Sequence, residues 1–205
     1  MRYLALACDY DGTLATRGRL HDSTAAALER CRASGRRVLL VTGREMGQLR
    51  EVCPRLDLFD LVVAENGALL VEPGSGRERP LALGPPERFV QALRRQQVVP
   101  LSVGRVIVAT KDTYAPVILD AIRKSRLEWH LIFNKGSVMA LPSGVNKASG
   151  LQAAIVELGI PALSVVGVGD AENDHAFLAA CGCAVAVANA LPSLKHEADL
   201  VTVAD

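Results

Sequence analysis

Asp9 and Asp11 stand on either side of Tyr10 at the end of the apolar run Tyr3 to Cys8, with Gly12 and Thr13 directly after them. Two carboxylates emerging together from a buried strand are costly unless a cation compensates them. A hard divalent ion does so, because Mg²⁺ takes one or two carboxylates, waters and substrate phosphate oxygens. Gly12 permits a sharp exit from the strand, and Thr13 offers a hydroxyl and an amide. Taken alone, Asp-x-Asp also describes an ordinary capped strand-to-loop turn.

Three further groups change that balance. Thr42-Gly43-Arg44 follows the apolar run ending at Val41. A hydroxyl followed by Gly at a strand-to-helix turn can hold a phosphate oxygen with side-chain and backbone donors. Gly169-Asp170-Ala171-Glu172-Asn173-Asp174 follows the run Leu163 to Val168, and an ordinary right-handed crossover would bring these acids beside the first strand. Lys147 opens the helical stretch before that run, where its ammonium could reach a phosphate as a point charge. A lone Lys is more often solvated.

These residues need elements that bring them to one edge. Short apolar runs at 3–9, 37–42, 60–64, 163–168, 183–187 and 199–203 read as strands. They are separated by segments of helical period, the pattern of a parallel sheet covered on both faces. The predicted helices are Ser23 to Ser34, Glu45 to Val52, Lys147 to Leu158 and Asp174 to Ala180. Asp22 or Ser23 is the expected N-cap of the first, and Gly35 its end. Ligands in such sheets bind at the carboxyl ends of the strands, where Asp9, Thr42 and Asp170 all fall.

The interval from Gly67 to Asn146 breaks the rhythm. It opens with a predicted hairpin, Ala68 to Val71 and Arg79 to Leu83, around the turn Glu72 to Gly76. A second α+β unit follows: helix Glu87 to Gln97 starting behind Pro85 and Pro86, strand Val103 to Ala109, helix Thr113 to Ser125, and the strand pair Trp129 to Phe133 and Ser137 to Leu141. The expected fold is therefore α/β, a Rossmann-like parallel-sheet core of residues 1–67 and 147–205 carrying an inserted α+β cap of residues 68–146. Two chain crossings join core and cap and allow hinge motion.

Composition excludes several classes. Charged residues interrupt every apolar run well short of the ~18 residues that a membrane span needs. Asp9 and Asp11 fall where the apolar segment of a signal peptide would have to continue. The net charge of +1, from 23 basic and 22 acidic side chains, supplies no field to draw in nucleic acid or an anionic membrane. Aromatic residues make up 4% and no basic stripe occurs, which also argues against a nucleic-acid module. Five cysteines without repeated spacing suit a reducing cytoplasm rather than a disulfide framework. Cys181 and Cys183 read as core residues rather than metal ligands.

In order and spacing the chemistry-bearing residues resemble the haloacid dehalogenase-like superfamily. Asp9-Tyr10-Asp11-Gly12-Thr13-Leu14 looks like its first motif, Thr42 its second, Lys147 its third, and Gly169-Asp170 through Asn173-Asp174 its fourth. Val41-Thr42-Gly43-Arg44, Glu65-Asn66-Gly67, Gly144-Val145-Asn146-Lys147 and Ala188-Asn189-Ala190 resemble the Cof-type subgroup, which includes archaeal-type phosphoglycolate phosphatases and sugar phosphatases.

The resemblance implies a phosphatase of a small phosphorylated metabolite. Asp9 is then the nucleophile that forms an aspartyl-phosphate, and Asp11 the acid and base. Mg²⁺ would be held by Asp9, the Asp11 carbonyl and Asp170, with Asp174 directly bound or one step removed. Thr42, Gly43 and Lys147 would hold the phosphoryl oxygens, and removing Thr42 or Lys147 is expected to slow the chemistry without unfolding the protein. Asn173 would orient Lys147 or Asp174, Asn189 and Arg44 would line the substrate site, and Lys135, in the turn Asn134-Lys135-Gly136, would face the leaving group.

The chain departs from the family pattern at Ala148, where Gly is frequent, and at Met139, where many relatives have Glu. It also stops at Asp205, just after the last predicted strand, which leaves room for an accessory or regulatory domain of a longer protein. A phosphomutase would use the same aspartyl-phosphate, but the cap offers no evident second phosphate clamp.

Overall fold

The computed structural model describes residues 2–203; Met1, Ala204 and Asp205, the last two falling at the end of the expected core segment, lie outside the described residues. The first apolar run forms β1 (Ala5–Cys8), and a small ribbon of β2 (Ala15–Thr16) and β3 (Arg19–Leu20) leads to α1 (Asp22–Ala33). Then come β4 (Arg37–Val41), α2 (Met46–Val52), β5 (Leu61–Ala64), β6 (Leu69–Glu72) and β7 (Arg77–Pro80). The inserted unit contains α3 (Glu87–Arg95), β8 (Ser102–Val103), β9 (Val108–Lys111), α4 (Ala115–Lys124), β10 (Trp129–Asn134) and β11 (Ser137–Pro142). The chain closes with α5 (Lys147–Leu158), β12 (Val165–Gly169), α6 (His175–Ala179), β13 (Cys183–Ala186), α7 (Pro192–Glu197) and β14 (Leu200–Val201).

The large sheet has the order β14-β13-β12-β1-β4-β5-β6-β7. Neighbours are parallel from β14 through β5 and antiparallel beyond it. Strand alternation sorts its side chains to two faces. Ala5, Ala7, Leu39, Val41, Leu61 and Val63 pack under Leu151 and Ile155 of α5 and Phe177 and Leu178 of α6. Val38, Leu40, Val62 and Ala64 pack under Ala25 and Leu28 of α1 and Met46 and Leu49 of α2. The order reverses at β1, which lies between β4 and β12, so the ends of these three strands converge where a ligand cleft is expected.

The smaller sheet, ordered β10-β11-β9-β8, is covered on one face by Phe89 and Leu93 of α3 and Ile118 and Ile122 of α4. Its other face meets the core through Met139 and Leu141 packed with Ala68, Val106 and Ile107. Among the described residues no helix is long and apolar enough to cross a membrane.

Three local expectations change. The hairpin expected at the start of the insertion extends the large sheet, because Val62, Val63 and Ala64 pair with Val71, Leu70 and Leu69; apolar, buried β6 is covered by polar β7, which forms the exposed edge. The strand expected at 103–109 is broken into β8 and β9: Gly104 donates to the Ile107 carbonyl in a turn, and Glu65 takes the amides in between, as described below. Neither Asp22 nor Ser23 caps α1. His21 is the extended residue before it, without a side-chain cap, and Asp22 lies in the first turn, where a negative charge suits the helix dipole.

Candidate functional site

The amide of Asp9 donates to Val168 on β12 at 2.9 Å, so the chain leaves β1 still tied to its neighbour. It then turns sharply: Tyr10 accepts from Leu14 and Ala15, and Gly12 takes a φ of 91°. Tyr10 points the opposite way from its flanking acids and is buried, its hydroxyl donating to Val52 at 2.9 Å. A Cβ at Gly12 would stand 2.4 Å from Asp170 Oδ2. Glycine here therefore serves both the turn and the close approach of the β12 loop.

Lys147, at the N-terminus of α5 and 1% exposed, donates to Asp9 Oδ1 and to Asp174 Oδ1, each at 2.5 Å. Asn146 caps this helix reciprocally with Ser149, which holds the lysine at its first position. Burial pushes the Asp9 carboxyl up; the Lys147 ammonium opposes this, while the Asp174 and Asp170 carboxylates push it further, leaving it at about 7. Burial pulls the Lys147 ammonium down, but Asp174 and Asp9 more than offset that and hold it above the usual lysine range. The two shifts do not mirror each other because Lys147 has two carboxylate partners, whereas Asp9 has one ammonium against two carboxylates.

Asp9, Asp170 and Asp174 turn carboxylate oxygens to within 4.8 Å of one another. An all-oxygen set of this charge fits a hard divalent cation. Asp174 is already committed: Oδ2 accepts from the amides of Asp170 and Ala171 and Oδ1 from Lys147. It shapes the loop that presents Asp170, which also accepts from Thr13 Oγ1 at 3.2 Å.

A cleft of about 330 Å³ opens above Asp9, lined by Asp11, Thr42, Gly43, Arg44 and Gln48 from the core and by Asn134, Lys135, Ser137 and Met139 from the inserted unit. Thr42 is buried at the end of β4, with Oγ1 accepting from the Arg44 amide at 3.2 Å. The Met139 thioether lies over Gly43, so this wall of the cleft is apolar where a Glu would have made it acidic.

The remaining side chains singled out by the sequence have these partners. Arg44 lines the cleft as expected, but it is paired there: both Asp11 carboxylate oxygens accept from it. Asn189 donates to the Gly12 carbonyl at 2.8 Å and braces the first loop from outside the cleft. The Asn173 side chain makes no hydrogen bond to Lys147 or Asp174; its amide donates to Asn66 at 3.0 Å and its Oδ1 has no partner among the described residues. Lys135 donates to the Asp11 carbonyl at 2.5 Å and to Asp170 Oδ2 at 2.7 Å. It faces the core and lines the cleft, as expected, with its ammonium on the acidic loops of β1 and β12. Finally, Lys147 is buried between two carboxylates, so its removal is expected to weaken the fold as well as to slow the chemistry.

Glu65, noted in the sequence only as part of Glu65-Asn66-Gly67, has a role that the sequence reading did not assign. Its carboxylate is buried and accepts from three consecutive amides of the inserted unit, Arg105 at 2.8 Å, Val106 at 2.8 Å and Ile107 at 3.1 Å. Gly67, two residues on, has φ 100°, and a Cβ there would stand 1.8 Å from the Asn146 carbonyl. The outgoing and returning chains are pressed together at this point. The signal was present as an acidic residue within an apolar run, but its partners lie some forty positions away.

A family model described as haloacid dehalogenase-like hydrolase matches residues 6–114 and 123–205. The phosphoglycolate phosphatase of Methanothermobacter thermautotrophicus is 32% identical over 98% of this chain and 92% of its own length. A haloacid dehalogenase-like hydrolase from Bacteroides thetaiotaomicron superposes with a TM-score of 0.84 at 18% identity, covering 98% of this chain and 94% of that one. A subclass IIB sugar phosphatase of the same superfamily gives a TM-score of 0.75 at 21% identity, covering 97% and 92%.

Proposed function

Because this chain belongs to the haloacid dehalogenase-like hydrolases, and is a phosphatase of that family, we propose that it dephosphorylates a small sugar-phosphate or phosphoglycolate-like metabolite through an aspartyl-phosphate. The observation that carries the reading is Asp9: a buried carboxylate at the floor of an open cleft, with an ammonium 2.5 Å away and a second carboxylate two positions on.

In this mechanism an Asp9 oxygen attacks phosphorus and the bond to the leaving oxygen breaks, with Asp11 supplying that oxygen's proton. Water then attacks the same phosphorus, Asp11 takes its proton, and Asp9 and inorganic phosphate are released. Thr42 Oγ1 and the amide of Gly43 bind equatorial oxygens, and the Lys147 ammonium offsets the charge gathering on them. The Arg44 guanidinium holds the Asp11 carboxylate at the cleft wall. Asp9, the Asp11 carbonyl and Asp170 would hold Mg²⁺, with Asp174 fixing the Asp170 loop. The ion would supply electrostatic stabilisation of the transferring phosphoryl group.

The test is a screen of purified protein with phosphorylated metabolites and Mg²⁺, measuring released phosphate, beside Asp9→Asn. Turnover by the native protein and none by the variant is expected, with a trapped phosphoaspartate on the native protein alone. Substantial turnover by Asp9→Asn would refute the mechanism. Ca²⁺ in place of Mg²⁺ is expected to inhibit, because its looser and higher coordination misaligns Asp9 for in-line attack.

A further inference from the structure

We propose that the Lys135 ammonium and the divalent cation contend for the same oxygens, so that loading the ion drives the lid hairpin off the acidic centre. The inference rests on the metal-site reading given above. Lys135 Nζ lies 2.5 Å from the Asp11 carbonyl oxygen and 2.7 Å from Asp170 Oδ2. A Mg²⁺ ion on those oxygens would sit at about 2.0 to 2.1 Å from each. Two cations cannot both be in contact with the same pair of oxygens, since they would also be in contact with each other.

Lys147 is not the cation that yields, because it is buried between Asp9 and Asp174. Lys135 can yield. Its side chain is 47% exposed and has solvent to retreat into. Asp170 and the Asp11 carbonyl, the oxygens that Lys135 touches, are oxygen ligands that a doubly charged hard ion holds more strongly than a singly charged ammonium does.

The backbone makes this exchange a movement of the lid. Asn134 pairs with Ser137, and Lys135 and Gly136 between them have φ of 47° and 77°. This is a two-residue hairpin turn with both central residues left-handed, the form that matches strand twist. The turn crowns a ladder running back to Trp129 and Pro142, so Lys135 is carried on a stiff element. In the docked position Asn134 Oδ1 is buried without a hydrogen-bond partner, a cost that the Lys135 contacts offset. Losing those contacts removes the reason for the turn to stay down. The same lysine thus shields the acidic centre before the ion binds and becomes a free cation at the cleft mouth afterwards.

The test needs no substrate. Mg²⁺ binding is measured by calorimetry on the native protein, Lys135→Met and Lys135→Gln, with Asp170→Asn as the metal-site control, and amide hydrogen exchange over residues 133–138 is followed with and without Mg²⁺. Both Lys135 variants are expected to bind Mg²⁺ about tenfold more tightly. Mg²⁺ should speed exchange at the native turn, whereas in the variants exchange is fast already and does not respond. Unchanged or weaker binding in both Lys135 variants, or protection of the native turn by Mg²⁺, overturns the proposal. If that occurs while Asp170→Asn abolishes binding, the metal site stands and the competition alone is lost. Native affinity in Asp170→Asn overturns both.

Discussion

The Arg44 guanidinium meets the Asp11 carboxylate edge to edge, Nε to Oδ2 at 2.6 Å and Nη2 to Oδ1 at 2.7 Å. Both side chains are about one-quarter to one-third exposed, so the pair adds little to stability but fixes where the proposed acid and base waits. Arg44→Lys cannot reproduce the fork. It should lower kcat by roughly 10- to 100-fold through misplacement of Asp11, while urea unfolding changes by less than about 1 kcal/mol. An unaltered kcat would show that Asp11 needs no such guide.

Asp9 makes the stability of the metal-free protein depend on pH. Its carboxyl rises from 3.8 to about 7 on folding, so between those values the native state holds a proton that the unfolded chain has released. The contribution is full below about pH 3.8 and is lost as pH rises through about 7. Against Asp9→Asn, which does not titrate, the native protein should lose at most about 4 kcal/mol over this window, at 1.36 kcal/mol for each unit. Urea unfolding in a metal chelator at a series of pH values measures it. A flat difference between the two proteins contradicts the shift.

Lys147→Ala leaves Asp9 and Asp174 buried without their common partner. Breaking such an arrangement from one side costs about 3 to 5 kcal/mol, and the variant should unfold at markedly lower urea. Thr42→Val loses one hydrogen bond and keeps the shape, at about 1 kcal/mol, while its phosphatase rate falls. Equal stabilities for the two variants would mean that the lysine acts on chemistry alone.

Glu65→Gln replaces one carboxylate oxygen with an amide that also donates, facing amides that can only donate. A loss of about 2 to 3 kcal/mol is expected for the charged bonds disturbed. Hydrogen exchange should quicken first at Arg105, Val106 and Ile107, because their acceptor is Glu65. Exchange that stays slow at these amides would remove Glu65 as the tie between core and insertion.

Much of the architecture is legible in the chain because its determinants are local. The unbroken apolar run Val38-Leu39-Leu40-Val41 marks a strand buried on both faces, and the helix expected at Lys147 to Leu158 is found with those bounds. Asp9, Thr42 and Asp170 each end such a run, so their convergence follows from parallel strands and one reversal of order.

Only the tertiary structure decided what each polar side chain meets. Asn189 faces the Gly12 carbonyl, Asn173 faces Asn66, Arg44 closes on Asp11, and Glu65 takes the amides that split a predicted strand. These pairings join positions far apart in the chain, and each is chosen by which donor and acceptor are buried together once the sheet and the insertion have packed. Lys135 is the clearest instance. Its turn is written in Asn134-Lys135-Gly136, whereas its partners, Asp11 and Asp170, lie in the loops that follow two strands of the other sheet and are set by how the two units dock.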